Sequence, residues 1–216
     1  MRGTANERNA SPQASRKAVI SLLAVTLILS VDHYRQLSQF PILDDLLLYL
    51  LLPLIVILLV FRENPLRYGL AFGRWREGLA WTVGGILVMA VVAWLFWQLS
   101  DFRAFYVDYI TVRNPGGGWL GWAILSGLQM FSVEFLFRGF LLFALADLFG
   151  PYGVWIQTVP FAMAHLGKPE WEAYASIVGG AVSGWIAYRV GSIYPSWLIH
   201  WALAVGVGWL LLGNGT

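Results

Sequence analysis

The chain has 216 residues, 58% of them hydrophobic and 12% charged, with a formal net charge of +2. A soluble domain carries roughly 25% charged residues. The deficit, with a mean hydropathy of +0.65, excludes an ordinary soluble fold and points to an integral membrane protein. Cysteine is absent, which excludes disulfides, thiolate metal ligands and a thiol nucleophile. No basic run resembles a nucleic-acid arm, so no nucleic acid is expected as a partner.

A bilayer core needs about 20 mostly apolar residues per helix. The pattern predicts an all-α, polytopic transmembrane helical bundle of about seven spans, over 18–36, 42–61, 78–100, 119–148, 151–166, 172–190 and 196–212. Residues 1–17 read as a basic tail and 18–212 as a single bundle. The first apolar run, "AVISLLAVTLILSV", follows Arg16 and Lys17. That flank also fits a signal peptide, but no clear small-x-small cleavage site precedes Asp32, so a membrane helix is the expectation.

Arg2, Arg8, Arg16 and Lys17 precede the first span, and Arg62, Arg67, Arg74 and Arg76 follow the second. The loop between those spans carries Asp32, Asp44 and Asp45 against Arg35. Basic residues collect on the cytoplasmic side, so the N-terminus is expected inside and, with seven spans, the C-terminus outside. "RENPLRYGLAFGRWRE" (62–77) reads as a loop with a short interfacial turn, and "NPGGGW" (114–119) as a breaker before the fourth span. Trp119, Trp122, Trp155, Trp171 and Trp197 fall near span ends, as an aromatic belt would. The sixth span carries G-x-x-x-G at 180–184, a signature of close helix packing.

Ionisable residues inside a membrane are costly and mark function by default. Here they are Glu134 and Arg138 on the fourth span, His165 on the fifth and His200 on the seventh. Glu134 and Arg138 are i,i+4 neighbours able to pair, which by itself is a structural explanation for both. Counted from Phe149, Glu134 lies about 22 Å along its helix, and His165 lies about 21 Å from Pro151. A carboxylate and an imidazole are thus expected at one level, His165 facing Glu134 beside the break at Pro160. His200, only five residues past Pro195, is expected shallower unless "GSIYPSW" (191–197) dips into the bilayer.

"VEFLFRG" (133–139), "FAMAH" (161–165) and "HWALA" (200–204) resemble the three motifs of the CPBP intramembrane proteases. That family holds the type II CAAX prenyl endopeptidases and the Abi group of bacteriocin-processing or self-immunity proteins. The resemblance implies a CPBP-like core over 119–212 in a bacterial cell membrane. It also implies a membrane-associated peptide or prenylated protein as substrate, and water activated by Glu134 and His165. Val133 stands where the family has its first glutamate, and Ala204 where it has asparagine. Gln129, one turn before Val133, is a candidate to orient water in place of the missing carboxylate. Two readings stay open: a working endopeptidase, or a catalytically impaired relative that binds a membrane peptide or protein partner. Glu134, His165 and His200 are also candidate ligands for a divalent metal such as zinc, since three N/O ligands plus water make a catalytic site. No H-E-x-x-H spacing supports that reading. Ser183 is better explained by packing than as a nucleophile, and no internal repeat suggests a transporter.

Overall fold

The computed structural model describes residues 11–213. The positions of Arg2 and Arg8, in the expected basic tail, lie outside the described residues. Within them the structure is helical: α1 (Pro12–Tyr34), α2 (Pro41–Phe61), α3 (Trp75–Trp97), α4 (Ser100–Arg113), α5 (residues 119–149), α6 (Gly153–Met163), α7 (Glu170–Val190) and α8 (Tyr194–Leu212). Among the described residues, α1, α2, α3 and α8 are long and apolar enough to cross a membrane.

The sequence sets several of these boundaries. Ser11 caps α1 by accepting from the Ala14 amide, with Pro12 in the first turn. The turn before α3 closes on Gly69 and Gly73, both at positive φ, and the Arg74 amide donates to the Val190 carbonyl at 2.9 Å. α4 lies where the apolar pattern predicts no span. Its buried Phe102 and Ile110 and half-buried Tyr106 and Tyr109 recur at helical spacing, an aromatic face that hydropathy alone passes over.

Helix α1 packs on the middle and end of α5 and α2 on its first part and middle, around a core of Val25, Ile28, Leu48, Ile57, Phe135, Phe140 and Leu141. α8 lies between α3 and α5, and α6 against α7. The G-x-x-x-G face of α7 makes that last contact. A Cβ at Gly184 would come 2.4 Å from Gln157 Nε2, and one at Gly180 would come 2.8 Å from Phe161 Cδ1. The expected close packing is therefore specific: it lets Phe161 reach the interior.

Two of the five tryptophans expected in an aromatic belt are interior instead. Trp122 is buried and donates to the Ala204 carbonyl at 2.8 Å; Trp197 is half-buried and donates to the Gly127 carbonyl at 2.9 Å. With Trp201, which donates to the Ala123 carbonyl at 2.8 Å, they join α5 to α8. An indole N–H in an apolar interior needs an acceptor, and the facing helix backbone supplies it.

One end of the bundle gathers the start of α1, the segment after α2 and the end of α5. There Lys17 pairs with Glu63 at 3.2 Å and with Asp147. The end of α7 and the start of α8 join them through Ile193 N–H, which donates to the Gly69 carbonyl at 3.0 Å. At the other end Tyr106 of α4 donates to Glu172 at the start of α7 at 2.8 Å. The site lies between these ends.

Candidate functional site

The middle of α5 departs from α-helical winding. Phe135–Leu141 forms a π-helical stretch between Trp119–Glu134 and Leu142–Phe149. Such stretches are frequent at functional sites because they redirect side chains within one helix. Gly139 permits a close approach here, since a Cβ would come 2.8 Å from the Tyr68 carbonyl oxygen. Glu134, at the entry to the stretch, and Arg138, inside it, are both fully buried.

Glu134 Oε1 lies 3.3 Å from Arg138 Nη1. The same oxygen accepts from His200 Nδ1 at 2.8 Å. Glu134 Oε2 and all three guanidinium nitrogens of Arg138 make no hydrogen bond among the described residues. The guanidinium carbon lies 3.7 Å from the centroid of the Phe161 ring, a desolvated cation–π contact. His165 packs on that ring with centroids 4.5 Å apart, and His200 approaches it at 6.4 Å. Arg138, His165 and His200, from the three motifs, thus lie around one phenyl ring.

The partners differ from those the sequence led us to expect. His200, expected shallow unless residues 191–197 dip inward, is the imidazole bonded to Glu134. Ser192, Ile193 and Ser196 at the start of α8 are fully buried, so that helix begins inside the bundle rather than at its face. His165, expected on a helix facing Glu134, lies past the end of α6 in the turn 164–167. Its Nδ1 donates to the Phe161 carbonyl at 2.9 Å. α6 has 11 residues, about 16 Å, so it ends within the depth of a bilayer core of ~30 Å. Irregular backbone at that depth is tolerated where it is buried in protein or lines a wet cavity. Pro160 inside α6 and Gly167 at φ +92° fit such an ending.

The departures from the motifs have local causes. Val133 packs against the core that contains Phe135 and Leu136. Ala204 packs with Trp122, Phe102 and Ile110. Gln129 does not stand in for the missing carboxylate. Its Nε2 donates to Asp45 Oδ2 at 2.6 Å and to the Tyr109 hydroxyl at 2.8 Å, in a separate polar cluster that also holds Tyr49, bonded to Asp32 at 2.7 Å. The sequence reading placed Asp44 and Asp45 among loop charges, yet both are buried. Helical spacing from Tyr49 would have revealed Asp45, four residues before it on the same face.

The donor set does not suit a metal. Among the described residues, no three His, Asp or Glu side chains are grouped to hold one. Glu134 Oε1 is committed to His200 and Arg138, and the guanidinium places a fixed positive charge where a dication would sit.

A buried carboxylate paired with a buried guanidinium, and two imidazoles close to them, thus lie together inside a largely apolar bundle. Residues 114–206 match the family model described as Rce1-like, type II CAAX prenyl endopeptidase. With the three motifs inside that stretch, the match supports a likeness of these residues to the CPBP membrane endopeptidases and a protease role in general. No curated protein and no solved structure matches the chain.

Proposed function

We propose that the chain is an endopeptidase embedded in a bacterial cell membrane. It hydrolyses a peptide bond near the membrane in a prenylated protein or another membrane-associated peptide, of CAAX or bacteriocin-precursor type. Residues 18–212 form one bundle of seven spans, with the N-terminus cytoplasmic and the core over 119–212. Glu134, His165 and His200 carry the chemistry, and Arg138 holds the carboxylate.

The observation that supports this reading is the state of Glu134 and Arg138. A fully buried carboxylate and guanidinium keep hydrogen-bonding atoms unused among the described residues. Leaving such groups unsatisfied costs about 1–3 kcal/mol each, more for charged groups. A fold that only needed neutral packing would place apolar residues there. A substrate carbonyl and a water, brought in together, satisfy them.

The test is purified protein in liposomes with a library of prenylated and unprenylated peptides, wild type against Glu134→Ala and His165→Ala. Cleavage of a library member by the wild type, reduced at least ~10²-fold in both variants, is the expected result. A wild type that binds peptides but cleaves none would overturn the endopeptidase in favour of a binding protein.

A further inference from the structure

We propose that the cavity between the ends of α5 and α7 and the Pro65–Tyr68 turn holds the headgroup of a phosphatidylethanolamine lipid, its phosphate on Arg67 and its ammonium on Asp147. This goes beyond the endopeptidase reading and does not depend on it.

The cavity measures about 300 Å³ and is lined by Arg67, Tyr68, Phe143, Ala146, Asp147 and Tyr188. That is the lower end of the range for ligand sites, about 300–1,000 Å³, and suits a headgroup. Three elements meet in it, and local chemistry fixes each wall. The Pro65–Tyr68 turn starts at Asn64, whose side chain accepts from the Leu66 amide at 2.9 Å. It ends at Gly69, where a Cβ would come 2.8 Å from Phe143 Cε2. Tyr68 is buried and its hydroxyl donates to Glu63 at 2.8 Å. Arg67, next to it, is thereby held at the rim with its side chain exposed. The last turns of α5 supply Phe143 and Asp147, and the last turn of α7 supplies Tyr188.

The charges around the cavity are left half-matched. Lys17, buried, donates to Glu63 at 3.2 Å and also to Asp147. One ammonium shared by two carboxylates leaves one negative charge over, and Asp147 Oδ1 makes no hydrogen bond among the described residues. Arg67 is the matching positive charge, yet it forms no ion pair among the described residues. A ligand with an anion at one end and a hydrogen-bonding cation at the other completes both. Phosphate oxygens match the guanidinium fork, and a primary ammonium brings three donors to a carboxylate. Tyr188, half-buried, adds a hydroxyl that has no partner among the described residues. A purely anionic headgroup would meet Asp147, and a quaternary ammonium has no N–H for Oδ1. The surroundings select a lipid over a soluble zwitterion. Leu66, beside Arg67, is exposed, and so is Trp185, whose ring lies 6.2 Å from that of Tyr188. Aromatic side chains near span ends mark the headgroup level of a bilayer, and exposed apolar ones there give acyl chains a surface to lie on.

Native mass spectrometry of the full chain in detergent tests the assignment, with equimolar phosphatidylethanolamine, phosphatidylcholine and phosphatidylglycerol of matched acyl chains. Phosphatidylethanolamine should give the dominant adduct, about tenfold over each of the others, as one charge-assisted hydrogen bond supports. Arg67→Gln should lose that adduct by about the same factor and, because Arg67 is exposed and unpaired, keep the wild-type melting curve. Equal adducts of the three lipids overturn the proposal. So does a dominant phosphatidylglycerol adduct, which would put an anionic lipid on the basic face instead. An Arg67→Gln protein that keeps the wild-type preference overturns the cavity as the site. Should Arg67→Gln fail to fold, Tyr188→Phe carries the localisation: its adduct should fall about threefold, and an unchanged one overturns the cavity. Glycerophosphoethanolamine, the headgroup without chains, should give no adduct at the same concentration. One as strong as the lipid's overturns a membrane source for the ligand.

Discussion

Arg138 is the side chain least able to stand alone. Its charge is balanced by Glu134 at 3.3 Å and by the face of Phe161, with nothing else bonded to it among the described residues. Removing one partner of a buried pair costs about 3–5 kcal/mol, because the other charge stays behind. Arg138→Ala should therefore lower the melting temperature in detergent more than Glu134→Leu combined with Arg138→Leu. The double variant still leaves His200 Nδ1 without its acceptor, which costs about 1–3 kcal/mol, so it should fall between Arg138→Ala and wild type. Equal losses in the two variants would mean that water solvates the pair. The pairing of Glu134 with Arg138 was legible in sequence because i,i+4 spacing on a helix is a local property. The bond from His200 was not. It depends on where α8 starts, and the buried Ile193, tied to Gly69 through its amide, puts that start inside the protein. Depth counted from Pro195 as if from the membrane face was bound to misplace it.

At the scale of elements, the contact between α5 and α8 decides whether His200 meets Glu134. Four indole N–H bonds, from Trp119, Trp122, Trp197 and Trp201, and a set of small residues hold it. A Cβ at Gly208 would come 2.0 Å from Trp122 Cδ1, and Trp122 is pinned by its bond to Ala204. Gly208→Ala should therefore destabilise by about 1–3 kcal/mol through overpacking. Gly206, two residues away, has nothing within 4 Å of an added Cβ. Gly206→Ala should be neutral or stabilising by up to ~1 kcal/mol from helix propensity. Melting curves that move alike for the two would show that the interface is loose. Spans α1, α2, α3 and α8 were legible because apolar runs announce them. α4 was not, since its four-residue aromatic spacing never becomes an apolar run, and α6 stops short where Pro160 and Gly167 break the pattern.

The contact of α1 with the rest of the bundle has its own pH dependence. Burial alone would raise the pKa of Glu63, but the Tyr68 hydroxyl at 2.8 Å and Lys17 at 3.2 Å hold it below its ordinary value of 4.5. A folded-state pKa below the unfolded one means that the unfolded chain binds the proton more readily. The stabilisation is then complete above about pH 4.5 and lost as pH falls through the lowered value. Melting temperatures taken from pH 7 down to pH 3 should drop more steeply for wild type than for Glu63→Gln across the acid end. Parallel curves would remove Glu63 from the account.

Across the whole molecule, the ends of the helices sort by charge. The end where Lys17 meets Glu63 and Asp147 also holds Arg62, Arg67, Arg74 and Arg76, and Arg189 joins it by pairing with Glu77. The opposite end holds Asp32, Asp44, Asp45, Glu170 and Glu172, with Arg35, Arg103, Arg113 and Lys168. Basic residues near span ends favour the cytoplasm, so the Lys17 end should face inward. Four helices have the length and hydropathy to cross by themselves. α5 and α7, continuous over 119–149 and Glu170–Val190, have the length, and the polar residues that lower their hydropathy, Glu134, Arg138 and Ser176 among them, are buried inside the bundle. In the seven-span arrangement proposed above, α6 would complete its passage through the turn that carries His165. Reporters fused after residues 70, 116 and 216 should then read cytoplasmic, external and external. A cytoplasmic signal at 216 with the first two as expected would mean that the number of crossings after residue 116 is even, and would overturn the seven-span arrangement.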